Sequence, residues 1–141
     1  MRRISKAAIV GSALIWSCLA AQGTQFDARL STVPIDARNR VQITGQGRAT
    51  AVLDGSELTI AGSFEGLQGP ANAARIHLSP VTGVRGPAIL DLEVSGGVDG
   101  SISATLELTP DQAAALRDGR LYIQVHSEAG PEGNLWGWLF Q

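Results

Sequence analysis

Leu121-Tyr122-Ile123-Gln124-Val125-His126-Ser127 alternates apolar and polar side chains with a period of two, the pattern of a β-strand with one face in a core. Leu121, Ile123 and Val125 share one face; Tyr122, Gln124 and His126 share the other. Ala74-Arg75-Ile76-His77-Leu78 reads the same way, with Ile76 and Leu78 on one face and Arg75 and His77 on the other. These two stretches carry both histidines of the 141-residue chain. An apolar face goes to a core, so both imidazoles are predicted on an outer face among other polar groups.

Outward from these stretches the chain continues as short strands. Segments 26–33, 50–53, 58–64, 73–79, 88–94, 101–108, 122–126 and 135–140 each show strand patterning. Turn residues separate them: Asp54-Gly55, Gly69-Pro70, Gly83 with Gly86-Pro87, and Gly96-Gly97-Val98-Asp99-Gly100. Asp-Gly between two apolar runs is a strong hairpin signal. One helix is predicted. Thr109-Pro110-Asp111-Gln112 supplies an N-cap, a proline at the first helical position and early acid, and Gly119 stands where the helix ends. Seven or eight short strands with one connector helix predict an all-β fold, a Greek-key β-sandwich.

The amino terminus reads as an export signal over residues 1–21. Met1-Arg2-Arg3-Ile4-Ser5-Lys6 is basic, and an apolar run from Ala7 to Trp16 follows, too short to span a bilayer. Small residues come next. Cys18, the only cysteine, ends an Ile15-Trp16-Ser17-Cys18 stretch that resembles a bacterial lipobox, so two processing routes stay open. Either the signal is removed near Ala20 or Ala21, or Cys18 is lipidated and anchors the chain. Residues 22–25 read as a short linker, and 26–141 as one domain without a disulfide. The expected location is periplasmic or extracellular.

Removing Arg2, Arg3 and Lys6 from the eleven basic residues leaves eight against thirteen acidic ones, a net charge of −5. Every remaining cation is an arginine, and no basic stripe is available to grip phosphate. Nucleic acid is therefore excluded as a partner, and a membrane enters only through a lipid on Cys18.

At this level the chain resembles the CHRD domain, the module named after chordin. The matching segments run in family order. They are Gly47-Arg48-Ala49-Thr50-Ala51 through Leu53, and Leu58 through Gly62-Ser63-Phe64-Glu65-Gly66-Leu67. Ala73-Ala74-Arg75-Ile76-His77 and Gly86-Pro87-Ala88-Ile89-Leu90-Asp91-Leu92 follow. Gly119 through Ser127 and Pro131-Glu132-Gly133 complete the set. The resemblance implies a Greek-key sandwich similar in shape to immunoglobulin or copper/zinc superoxide dismutase domains, and no established enzymatic activity. Two departures stand out. Arg75-Ile76-His77 replaces a frequent His-Ile-His, and Asn134-Leu135-Trp136-Gly137-Trp138-Leu139 places tryptophans where the family has polar residues.

Candidate sites follow from these faces. His77 and His126 are the candidate metal ligands, for copper or zinc, although a closed site needs three or four donors. Arg75 calls for a carboxylate on a neighbouring strand, Asp91 or Glu93. Trp136 and Trp138 lie two apart on one face, where they stand exposed, as a flat pair able to stack on sugar rings, or pack under a loop, or belong to a strand buried on both faces. No Gly-x-Ser-x-Gly, usable cysteine or phosphate-cradling loop supports catalysis. The expectation is a non-catalytic module without a cofactor. It would recognise a protein or glycan through Arg75, Tyr122, Gln124, Trp136 and Trp138. The alternative is a copper- or zinc-binding protein using His77 and His126.

Overall fold

The computed structural model describes residues 23–141. The signal-peptide and Cys18 readings lie outside the described residues. In chain order the elements are β1 (Thr24–Thr32), β2 (Gln46–Asp54), β3 (Glu57–Glu65), β4 (Ala71–Leu78), β5 (Ala88–Val94) and β6 (Gly100–Glu107). The helix α1 (Pro110–Arg117) follows, then β7 (Leu121–Ser127) and β8 (Leu135–Trp138).

The strands form a closed barrel in the order β1-β2-β3-β6-β5-β4-β7-β8, with every neighbouring pair antiparallel. This corrects the open Greek-key β-sandwich expected from the sequence. Two strands that change partners make the difference. β1 pairs β2 from Thr24 to Leu30, then passes to β8 at Ser31 and Thr32. β5 pairs β4 from Ala88 to Leu92, then β6 at Glu93 and Val94. Two sheets that share strands at both corners close into a barrel. Alternation and strand spacing are the same in both architectures, so the pattern along the chain did not choose between them.

Inward residues fill the barrel at the predicted period. Phe26, Ala28 and Leu30 of β1, Ala49, Ala51 and Leu53 of β2, and Leu58, Ile60 and Phe64 of β3 are buried. Ile76, Ile102, Leu121, Ile123, Val125, Leu135 and Leu139 complete the core. Each large side chain removed from water contributes roughly 1.5–3 kcal/mol before entropy is counted. The helix forms as its sequence dictates. Thr109 and Gln112 exchange side-chain-to-backbone hydrogen bonds in a capping box, and Pro110 opens the first turn. Gly119, at φ +70°, ends it, and Ala113, Ala115 and Leu116 pack onto the core.

One strand breaks the simple inside–outside rule. In β7 every residue but His126 is buried, so both of its faces are covered. What covers the outer face defines the site.

Candidate functional site

Pairing aligns the outer face of β4, β7 and β8 into rows. His77 stands opposite Tyr122, and Tyr122 opposite Trp138. Arg75 stands opposite Gln124, and Gln124 opposite Trp136. His126 pairs with Ala73 one row further along. The register therefore brings six of the sequence-selected residues into one cluster: His77, Tyr122, Gln124, His126, Trp136 and Trp138.

The rings pack as a continuous layer. His77 stacks on Tyr122 at 4.9 Å between centroids, and Tyr122 meets Trp138 at 4.7 Å. Trp136 and Trp138 meet edge to face, 4.8 Å apart at 66°, so they do not form the flat pair considered from the sequence. Arg85 places its guanidinium 5.1 Å from the centre of the Trp136 ring, within cation–π range.

Two loops close over this layer. Tyr122 Oη donates to Gly86 O and accepts from Gly86 N. His77 Nδ1 lies 2.8 Å from Gly86 O. On the other side, Gln124 Nε2 donates to Glu132 O at 3.1 Å, and His126 Nδ1 lies 3.0 Å from Pro131 O. Tyr122 and Gln124 are consequently 1% and 2% exposed, where the sequence had placed them on an open surface. Loop covering a strand face leaves no mark in that strand's own alternation.

A carbonyl oxygen only accepts, so each imidazole places a proton on Nδ1, which makes Nε2 the acceptor of the neutral ring. His77 Nε2 is buried without a partner, as are Gln124 Oε1 and Trp138 Nε1. Burial holds the His77 pKa below the ordinary histidine value. His126, Arg75 and Arg85 add to the depression, and the bond to Gly86 opposes it.

Arg75 does not join the cluster. Its Nε is 3.1 Å from Asp91 Oδ1 on β5, directly opposite in register, one of the two carboxylates named from the sequence. Among the described residues no group of three or more His, Cys, Asp or Glu is placed to hold a metal ion.

Beyond Trp136 and Trp138 the outer face opens into a groove of about 1330 Å³ across β8, β1, β2 and β3. Trp136, Trp138 and Phe140 line it, and its charged groups are Arg29 and Arg48 together with Asp27, Glu65 and Asp99. Phe140 is 51% exposed. Asp27 bridges to Phe140 and Ser31 pairs with Trp136, so alternation places Arg29 beside Trp138. Arg29 in turn stands opposite Arg48 across β1 and β2. Neither arginine forms an ion pair among the described residues. Asp27 is engaged by Thr50 Oγ1 at 3.0 Å.

Sequence reasoning missed Arg29, Arg48 and Phe140: Arg29 lay in the alternating segment 26–33, whereas the strand read at 50–53 stopped short of Arg48. It also missed Arg85 and Gly86, whose role depends on where their loop lands. The signal that would have joined Arg29 to Arg48 and Trp138 is strand register, which one chain's pattern does not state.

A family model of the CHRD domain matches residues 26–139. No curated protein and no solved structure matches the chain.

Proposed function

The chain belongs to the CHRD family of non-catalytic, binding-type domains, and on that premise we propose that its barrel binds an acidic glycan in the groove beside Trp136, Trp138 and Phe140. The observation that carries this reading is the unpaired cross-strand couple of Arg29 and Arg48. Like charges directly opposite each other are destabilising, and a carboxylate or sulfate seated between them turns that cost into a charge-assisted contact. The neighbouring aromatic wall suits the apolar face of a sugar ring, and the planar guanidinium forks suit its acidic substituents. Of the two occupants left open by the sequence, protein or glycan, this mixture favours the glycan. The export signal read in residues 1–21 would deliver the domain to where such polymers occur.

Isothermal titration against a polyuronate oligosaccharide, with its neutral reduced counterpart beside it, tests the reading. Affinity for the acidic form should exceed that for the neutral form by at least about tenfold and fall with added salt. Arg29→Thr and Arg48→Ser should each abolish that preference, while Trp138→Ala should weaken both ligands. Equal binding of the two forms, or acid binding untouched by the arginine variants, overturns it. A protein ligand competing for the groove independently of Arg29 and Arg48 would restore the protein reading.

A further inference from the structure

Away from the groove, His77 and His126 approach each other over the β7 surface with ring centroids 6.4 Å apart and planes inclined by 27°. Their backbone positions are four residues out of register, since His126 pairs with Ala73, so both side chains lean inward to meet. Each donates Nδ1–H to a backbone carbonyl, Gly86 O for His77 and Pro131 O for His126. That arrangement fixes the tautomer and ring orientation of a metal-binding histidine and makes Nε2 the donor. His77 Nε2 is buried and unpartnered. His126 Nε2 accepts from Gln124 Nε2 at 3.3 Å, a bond that a metal ion at this nitrogen would replace.

We propose that His77 Nε2 and His126 Nε2 together bind one Cu(I) ion as its two ligands. Two imidazoles that share a metal at about 2 Å from each nitrogen have centroids about 6 Å apart, close to the spacing already present. The choice of ion follows from the donor set. Zinc takes four ligands in a closed site, and no third His, Cys, Asp or Glu is grouped with this pair among the described residues. Cu(I), with a filled d shell and a single charge, is content with two nitrogens in line, and imidazole suits copper. The single charge matters for a second reason. Arg85 sits over Trp136 in the same cluster, and the cost of burying an ion rises with the square of its charge. Arg75, the nearer objection to a cation, is paired with Asp91, although its charge, like that of Arg85, still opposes positive charge at His77.

The test is anaerobic titration of the chain with Cu(I) in competition with a chromophoric Cu(I) chelator, and with Zn(II) in parallel. The expected result is one copper per chain, quenching of the Trp136 and Trp138 fluorescence, and X-ray absorption showing two nitrogen scatterers. His77→Asn and His126→Asn keep an amide donor near the position of Nδ1 while deleting Nε2, so the loop contacts survive. Each should weaken copper binding by about 100-fold or more, since outer-shell changes alone cost 10–100-fold. Arg29→Thr and Arg48→Ser should bind copper as the parent does, which separates this site from the groove. Copper retained at full affinity in both asparagine variants overturns the proposal, as does failure to compete with the chelator. Zinc bound as tightly as copper also overturns it.

Discussion

Tyr122 and Gly86 hold each other through a reciprocal pair of hydrogen bonds. The phenol donates to the Gly86 carbonyl at 3.1 Å and accepts from the Gly86 amide at 3.0 Å. A side chain from β7 thereby satisfies both backbone groups of one loop residue, 36 positions away in the chain, and the loop after β4 is fastened over the aromatic layer.

Tyr122→Phe removes both bonds and leaves the ring. The stability loss should be about 1–2 kcal/mol, read from the midpoint of urea unfolding. Hydrogen exchange at the Gly86 amide should rise well above that of the barrel strands. A protected Gly86 amide in the variant would mean that the loop is held by other contacts.

Gly86→Ala should be worse. A Cβ at this position would stand 1.7 Å from the Leu78 carbonyl oxygen, a backbone atom that cannot step aside. The loop must lift, at a cost of roughly 2–4 kcal/mol. Arg85 would leave Trp136, which tryptophan fluorescence would register. An unchanged emission spectrum together with parental stability would contradict this account.

Two polar substitutions should differ sharply. Asn134 is fully buried. Its Oδ1 accepts from Ser127 Oγ at 2.7 Å, and its Nδ2 donates to Thr44 O at 2.8 Å. Asn134→Ala strands both partners and should cost roughly 3 kcal/mol. Asp91→Asn breaks an ion pair whose carboxylate side chain is 88% exposed, and should cost less than about 1 kcal/mol. Chemical denaturation of the two variants side by side checks the contrast, and comparable losses would refute it.

Stability should fall on mild acidification, and His77 is the cause. Its folded-state pKa lies below the ordinary value because of burial, with His126, Arg75 and Arg85 contributing. The unfolded chain therefore takes up the proton first as pH drops. This contribution is fully present above about pH 6.5 and is lost as pH falls towards the depressed folded value. Unfolding measured between about pH 7.5 and 5.5 should show the slope, and His77→Asn should flatten it. A slope of the same size in the variant would assign the effect to another group.

The strands were legible because period-two alternation and turn chemistry are local: Asp54-Gly55 and the Thr109 cap each act within a few residues. Closure was not, because it rests on Ser31, Thr32, Glu93 and Val94 taking second partners. The candidate cluster was half legible. Alternation named His77, Tyr122, Gln124, His126 and both tryptophans, yet their cover depends on loops whose landing places are set by a few contacts such as those at Gly86. Arg29 and Arg48 gained meaning only when register set one against the other.

Where its strands pair on both sides, the barrel offers no free row of amides and carbonyls; its two seams, between β1 and β8 and between β5 and β6, are two residue pairs each. Along β2, β3, β4 and β7, flanked by ladders on both sides, an incoming peptide cannot extend the sheet, and two copies cannot zip together edge to edge. Recognition is left to outward side chains and loops. Exchanging arginine for another residue at positions 29 or 48 would then alter which ligand is chosen while every backbone ladder stays as it is.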